Sequence, residues 1–159
     1  ALEFSGLSGY GNCLCLWYPA GLVHPKPIKE NTMVKSLFIV GGIINLGLGV
    51  FHLGFWKIFK WSETIASLNF MNKAIMQTLN VHVAGVLFFF GMVSIWFHEE
   101  MITTRLGHIL TISIIAFYFL RAANQLIFWG VKHPVTWAMT FGFIAIGAIY
   151  LIPLLAGKG

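Results

Sequence analysis

Residues 74–98 read AIMQTLNVHVAGVLFFFGMVSIWFH, a run of 25 residues without a charged side chain. A helix needs about 20 apolar residues to cross the roughly 30 Å hydrocarbon core of a bilayer. Membrane β-strands instead alternate apolar and polar residues, and no such alternation occurs in this run. The run therefore predicts a transmembrane helix.

Three further segments are also long and apolar, and each is bounded by charged residues. Only one charged side chain, Arg121, falls inside them. We therefore expect an all-α integral membrane protein, folded as an antiparallel bundle of four transmembrane helices. Their expected positions are about 36–57, 74–97, 103–130 and 134–156.

Composition supports the same fold class. Hydrophobic residues make up 58% of the 159-residue chain and charged residues only 9%, with a formal net charge of +5. A soluble domain has about 45–50% apolar and about 25% charged residues. These proportions exclude a water-soluble globular protein and a disordered chain, so lipid is expected to be the solvent for most of the surface. Nucleic acid is not an expected partner.

Residues 1–32 differ from the rest, since they hold both cysteines, Cys13 and Cys15, and have no clean periodicity. Lys29-Glu30 can be encoded as AAG-GAG, the core of a bacterial ribosome-binding sequence, placed six nucleotides before the ATG of Met33. We therefore expect residues 1–32 to be an extension of upstream or cloning origin, and residues 33–159 to form the transmembrane domain of a bacterial inner-membrane protein. The alternative is a genuine arm whose C-x-C pair binds metal or lipid, although this motif is a weak metal signal.

Antiparallel threading assigns the charged residues to two sides of the membrane. Side A is the side of Lys35 and of the Glu99-Glu100 connection, and side B is the side of Lys57 and Lys132. From Met33 onward the count of Lys and Arg barely differs between the sides, so the positive-inside rule leaves the orientation open. The connection at residues 57–73 alternates lysines with aromatic residues, which predicts a short helix in the headgroup layer. A gating role for this connection is the alternative.

Polar side chains inside the predicted spans are the candidate functional residues, because each is expensive to place in hydrocarbon. Most lie in the half of the membrane toward side B: His52, Gln77, Asn80, His82, Arg121, Asn124 and Gln125. Arg121 lies about 16 Å along its helix from Lys132. No Asp or Glu lies inside any predicted span to neutralise it. Arg121 therefore needs backbone or amide acceptors, a water-filled cavity, or an anion brought by a ligand or partner. Asn45 and Thr140 are expected to be interhelical hydrogen-bond glue.

Two hypotheses make these residues a binding site. In the first, His52 and His82 ligate the iron of a b-type haem in a redox role, since neutral imidazole is a haem ligand. In the second, Arg121, Asn124, Gln125 and His82 line the pocket of a small enzyme or carrier for a lipid-soluble or anionic molecule, with Gln77 and Asn80 nearby. Whether the protein is an enzyme stays open at this point.

A third hypothesis makes the chain a non-catalytic subunit or assembly partner of a larger membrane complex. Arg121 would then pair with a carboxylate of another chain. The glycines of the first helix would offer close-packing surfaces to a partner: Gly42, Gly47, Gly49 and Gly54. A separate group near side A consists of residue types that can ligate metals: His98, Glu99, Glu100 and His108. Their spacing does not match the H-E-x-x-H pattern, so we expect an ordinary solvated loop.

Overall fold

The computed structural model describes residues 32–156, and every element in that range is a helix. Four of the helices are long and apolar enough to cross a membrane. The all-α, four-span prediction is therefore confirmed, whereas the expectation for residues 1–32 lies, apart from Thr32, outside the described residues. The helices are α1 Thr32–Leu53, α2 Phe55–Ile58, α3 Trp61–Thr64, α4 Phe70–Trp96, α5 His98–Thr103, α6 Arg105–Trp129 and α7 Pro134–Ala156.

Local capping shifts the helix bounds from those predicted. α1 ends at Leu53, four residues before the expected bound, because Gly54 forms a turn there and is a poor helix former. α4 starts at Phe70, four residues earlier than expected. Its N-cap is Asn69, whose side-chain oxygen accepts a hydrogen bond of 2.8 Å from the Asn72 amide. Charged residues alone marked the expected bounds, so these caps were missed.

The first connection forms two short helices rather than the single interfacial helix that we expected. α2 and α3 are separated at Lys60, which has a left-handed backbone conformation with φ of 46°. Trp61 follows this break, and it is only 5% exposed. Its ring packs on Phe55 and Trp56, with centroids 5.9 and 5.0 Å away. Trp61 is therefore packed inside the connection.

The spans pack in an antiparallel bundle in which α1 lies mainly against α4 and α6 against α7. Close approach of α1 and α4 depends on glycine, since a Cβ added at Gly91 would lie 2.9 Å from the Gly42 carbonyl oxygen. α1 also contacts α7, and α4 meets α6 through the Phe90 and Phe117 rings, whose centroids are 5.4 Å apart. α5 docks on α6 at Gly107, where any Cβ would clash with the Glu100 backbone.

The interior of the bundle divides into two halves. The buried apolar cluster fills the half toward side A and the middle of the bundle; its fully buried members are Val34, Phe38, Leu87, Met101, Ile114, Tyr118 and Tyr150. Toward side B the buried side chains of the spans are small or polar: Asn80, Ala84, Ala122, Gln125, Thr136 and Thr140. We call this second region, together with His52 and Arg121, the polar half.

Candidate functional site

A hydrogen-bonded network at the centre of the bundle takes one side chain from each of the four spans. The Tyr118 hydroxyl donates to Asn45 Oδ1 at 2.7 Å. Asn45 Nδ2 donates to the Tyr150 hydroxyl oxygen at 2.9 Å and to the Gly41 carbonyl at 2.8 Å. Tyr150 in turn lies 2.9 Å from Ser94 Oγ, and Ser94 donates to a carbonyl of its own helix.

The directions of these bonds are consistent throughout. Because Ser94 donates its hydrogen to the Phe90 carbonyl, its Oγ accepts from Tyr150, which leaves the Tyr150 oxygen free to accept from Asn45. Every polar atom of the network therefore has a partner, although Asn45, Ser94 and Tyr150 are 0% exposed. A saturated buried network of this kind specifies packing and leaves nothing to bind a ligand. Asn45 is thus the interhelical glue that its sequence position predicted.

In the polar half, Asn80 joins α4 to the end of α1 by two hydrogen bonds. Asn80 Nδ2 donates to the His52 carbonyl oxygen at 2.8 Å, and Asn80 Oδ1 lies 2.9 Å from His52 Nδ1. The first bond sets the orientation of the amide, because only its nitrogen can donate to a carbonyl. Oδ1 therefore faces the imidazole, and Nδ1 must carry the proton. The tautomer that results leaves His52 Nε2 as an acceptor.

His52 Nε2 has no hydrogen-bond partner within residues 32–156. One face of the half-buried ring stacks on Phe55 of α2, with a centroid distance of 4.5 Å and an interplanar angle of 25°. Phe55 is itself in contact with the buried Trp61. The α2–α3 connection thus covers the end of α1 with aromatic rings and holds the imidazole in place.

Arg121 lies in the same half, on α6. Its guanidinium carbon is 5.3 Å from the centroid of the Phe143 ring of α7, and the side chain is only partly exposed. Within residues 32–156 it forms no hydrogen bond or ion pair, and the spans hold no carboxylate. All five donor N–H groups of this cation therefore lack acceptors inside the described chain.

Four further side chains of this half have polar atoms without a hydrogen-bond partner among the described residues. Gln125 is 0% exposed, and its Nε2 donates weakly to the Met139 sulfur at 3.6 Å, while its Oε1 has no partner. Thr136 Oγ1 is likewise buried without one. Asn124 and Gln77 are partly exposed, and neither forms a hydrogen bond within the described residues. Thr136 was missed at the sequence level because a threonine near a helix start is an ordinary cap residue.

The structure does not bring His82 together with His52. His82 is two residues beyond Asn80 on α4, and a two-residue step turns a helix by about 200°. Asn80 faces α1 and is buried, so His82 points to the outside of the bundle and is exposed. Its Nδ1 bonds to the Thr78 carbonyl at 2.8 Å. His82 also lines a hollow on the outer surface of α4, together with Val81, Gly85, Val86 and Phe89.

The group near side A is built from local contacts. His98 Nε2 lies 3.9 Å from a Glu99 carboxylate oxygen, and its Nδ1 bonds to the Ile95 carbonyl. His108 Nε2 bonds to the Ile102 carbonyl at 2.6 Å. Glu100 is exposed. The residues of this group therefore secure the α5 connection, and no set of three metal-ligand side chains converges within residues 32–156.

A scan against protein-family models, a search of curated proteins and a search of solved structures each returned no match for this chain.

Proposed function

We propose that this protein binds a lipid-soluble ligand with acceptor oxygens in its polar half, between the side-B ends of the spans. Arg121 holds the ligand, and His52 contributes an acceptor beside it. Polar side chains complete the lining of this site, and they are Gln125, Asn124, Gln77 and Asn80. Filling such a lining with water alone would be costly in hydrocarbon. In this proposal His82 belongs to the outer surface and takes no part in the site.

The state of Arg121 is the observation that carries the proposal. A guanidinium at the centre of a membrane helix costs at least about 2.5–3.5 kcal/mol on insertion scales, and such residues normally pair with acceptors. Arg121 has an aromatic ring below it and no acceptor within the described chain. Cation–π contact with a ring contributes about 0.5–2 kcal/mol, which does not replace five hydrogen bonds. An oxygen-rich ligand group supplies both the charge balance and the acceptors.

Arg121→Leu tests the proposal. The full chain is purified from its membrane in a mild detergent, and the bound small molecules are identified by native mass spectrometry and lipid extraction. We expect one class of lipid-soluble compound to be enriched on the wild-type protein and to fall at least tenfold in the variant.

Arg105→Leu is the matched control, because Arg105 is exposed at the side-A start of the same helix. It should retain the compound while removing the same charge from the chain. Loss of the compound in both variants, or retention in both, would contradict the proposal. Thermal unfolding of each variant is measured in parallel, so that misfolding is detected separately.

Haem binding is a second candidate, now through His82 alone. Metal-ligating histidines usually donate their other ring N–H to a carbonyl or carboxylate, and the Nδ1 bond to Thr78 supports this role. Gly85, one turn further along α4, leaves open space beside the ring. Protein from haem-replete cells should then show a sharp Soret band that His82→Ala abolishes and His52→Ala retains. A colourless preparation would end this candidate.

A further inference from the structure

Residues 57–60 of the first connection, which read KIFK, lie on its outer side, and we call them the anchor segment. All four residues are exposed, with Ile58 at 53% and Phe59 at 46%. The residue that follows them is buried instead, since Trp61 is only 5% exposed. The left-handed backbone of Lys60 separates the exposed rings from the buried one. The connection therefore has a buried aromatic side and an outer side with two apolar side chains between two lysines.

The anchor segment lies at the level of the lipid headgroups. It begins shortly after α1 ends at Leu53, and the next span, α4, begins at Phe70. Both spans cross the hydrocarbon, so the connection between them lies where the chain leaves the bilayer core and enters it again. Exposed apolar side chains at this level enter the boundary of the acyl chains. Lysines beside them keep their ammonium groups among the headgroups.

The charge of the side-B end of the protein matches an anionic surface. Among the described residues this end carries one carboxylate, that of Glu63, and four lysines: Lys57, Lys60, Lys73 and Lys132. None of these lysines forms an ion pair within residues 32–156, so Glu63 does not pair with them. The described part of the side-A end has two basic and two acidic residues: Lys35, Arg105, Glu99 and Glu100.

We propose that the anchor segment binds the phosphodiester headgroups of anionic membrane phospholipids, with its apolar pair in the acyl-chain boundary and its two lysines at the phosphates. Lysines alone would equally fit an acidic protein. The apolar pair between them favours lipid, because the flanking spans hold this turn against the bilayer that surrounds them. A basic residue at the membrane surface raises the affinity for anionic lipid about fivefold. This surface is separate from the polar half, so it does not depend on the function proposed above.

The test compares two dioleoyl phosphodiesters that differ in net charge. Native mass spectrometry of the full chain in detergent measures binding of phosphatidylethanol, which is anionic and has no hydroxyl or amine, and of phosphatidylcholine, which is zwitterionic. Wild-type protein should bind the anionic lipid at least fivefold more tightly. The ratio should fall as the concentration of ammonium acetate rises, because salt screens exposed charges. Equal binding of the two lipids would overturn the proposal.

Two double variants locate the preference. Lys57→Gln with Lys60→Asn removes both charges of the anchor segment, and asparagine tolerates the left-handed backbone at position 60. This variant should bring the ratio of the two affinities within twofold of one. Lys73→Gln with Lys132→Gln removes the same charge from the same end and should keep at least half of the preference. An equal loss in both variants would overturn the assignment to the anchor segment, and thermal unfolding of each detects misfolding separately.

A fluorescent probe tests the position of the apolar pair. Ile58→Cys is labelled with bimane in a background that carries Cys13→Ser and Cys15→Ser, the two cysteines of the chain. In vesicles of the same two lipids, a phospholipid with a nitroxide near the top of its acyl chain should quench the probe more strongly than aqueous iodide does. Stronger quenching by iodide would overturn the proposal, because the segment would then face water and be open to an acidic protein.

Discussion

Asn45 on α1 and Asn80 on α4 are both buried amides, and at the scale of the residue they differ in what their hydrogen bonds leave unpaired. Asn45 binds Tyr118, Tyr150 and a carbonyl, and the network around it is saturated. Asn80 forms both of its hydrogen bonds with one residue, to the backbone carbonyl and to Nδ1 of His52, and Nε2 of that imidazole has no partner within the described residues. Since buried polar groups in proteins are normally paired, the unpaired Nε2 of half-buried His52 and the unpaired guanidinium of Arg121 are the groups on which the proposed binding site rests.

Tyr150→Phe should destabilise the fold by about 1–3 kcal/mol, because it keeps the ring and removes the hydroxyl that joins Asn45 to Ser94. Reversible unfolding in mixed micelles measures the loss. Ser113→Ala is the control, since Ser113 is exposed and its hydroxyl bonds only to a carbonyl of its own helix. Equal stability of the two variants would show that the network contributes nothing to the fold.

At the scale of the element, glycines decide how α1 meets α4. A Cβ at Gly42 would lie 2.6 Å from an Ile95 side-chain carbon and 3.0 Å from the Gly91 carbonyl oxygen. Gly49 faces the Phe88 ring. These glycines therefore serve packing inside the bundle, and they are not free for the partner chain that the third sequence hypothesis assigned to them. Gly47, in contrast, is exposed with open space around it.

Gly91→Ala and Gly85→Ala form a matched pair on α4. At Gly91 the new methyl would meet Leu46 side-chain carbons at 2.7 Å and a backbone oxygen at 2.9 Å, so α1 and α4 must move apart. At Gly85 it would meet nothing within 4 Å.

We expect the first variant to lose about 1–3 kcal/mol of stability through overpacking. The second should be neutral or gain about 0.5–1 kcal/mol from better helix propensity. Thermal unfolding in one detergent measures both. Equal effects at the two sites would contradict the close crossing of these helices.

The α2–α3 connection supports the polar half at the same scale. Trp61 is buried against Phe55, which stacks on His52. Trp61→Ala should therefore loosen the cover over His52 and shorten the residence time of the ligand at least fivefold, as measured by lipid exchange. Trp137→Ala, at an exposed position near the same side, should leave the exchange rate unchanged.

At the scale of the whole molecule, the bundle has two unlike ends. Apolar packing fills the half toward side A, where α5 closes the connection between α4 and α6. Polar and small side chains occupy the half toward side B. A well-packed half holds the helices together, so the other half can retain unpaired polar groups without loss of the fold.

The antiparallel arrangement places the α4–α5 and α1–α4 connections on opposite sides of the membrane. From Met33 onward the chain has no cysteine, so single cysteines can report each side in a background that carries Cys13→Ser and Cys15→Ser. In sealed vesicles, a membrane-impermeant maleimide should label Ser67→Cys and Glu99→Cys from opposite faces, since both positions are exposed. Labelling from the same face would contradict the four-span topology.

The sequence by itself determined the number of spans, their approximate bounds and the isolation of Arg121. Length and uninterrupted apolarity decide whether a segment can satisfy its backbone in lipid, and these are properties of consecutive residues. The absence of Asp and Glu from the spans could be read from the sequence for the same reason, because it too is a property of consecutive residues. Helix bounds were less accurate, because Asn69 and Gly54 act through local capping and turn geometry instead of charge.

Only the tertiary structure decided which polar groups are saturated and which are open. Ser94, Tyr118 and Tyr150 look unrelated along the chain, yet they meet at Asn45 because the four spans bring them to one depth. His52 and His82 looked like a pair because they share a membrane half, and depth is readable from residue spacing. The rotation of a helix about its axis cannot be read from residue spacing, because it depends on which faces pack. Packing turned Asn80 toward His52 and turned His82 away from it.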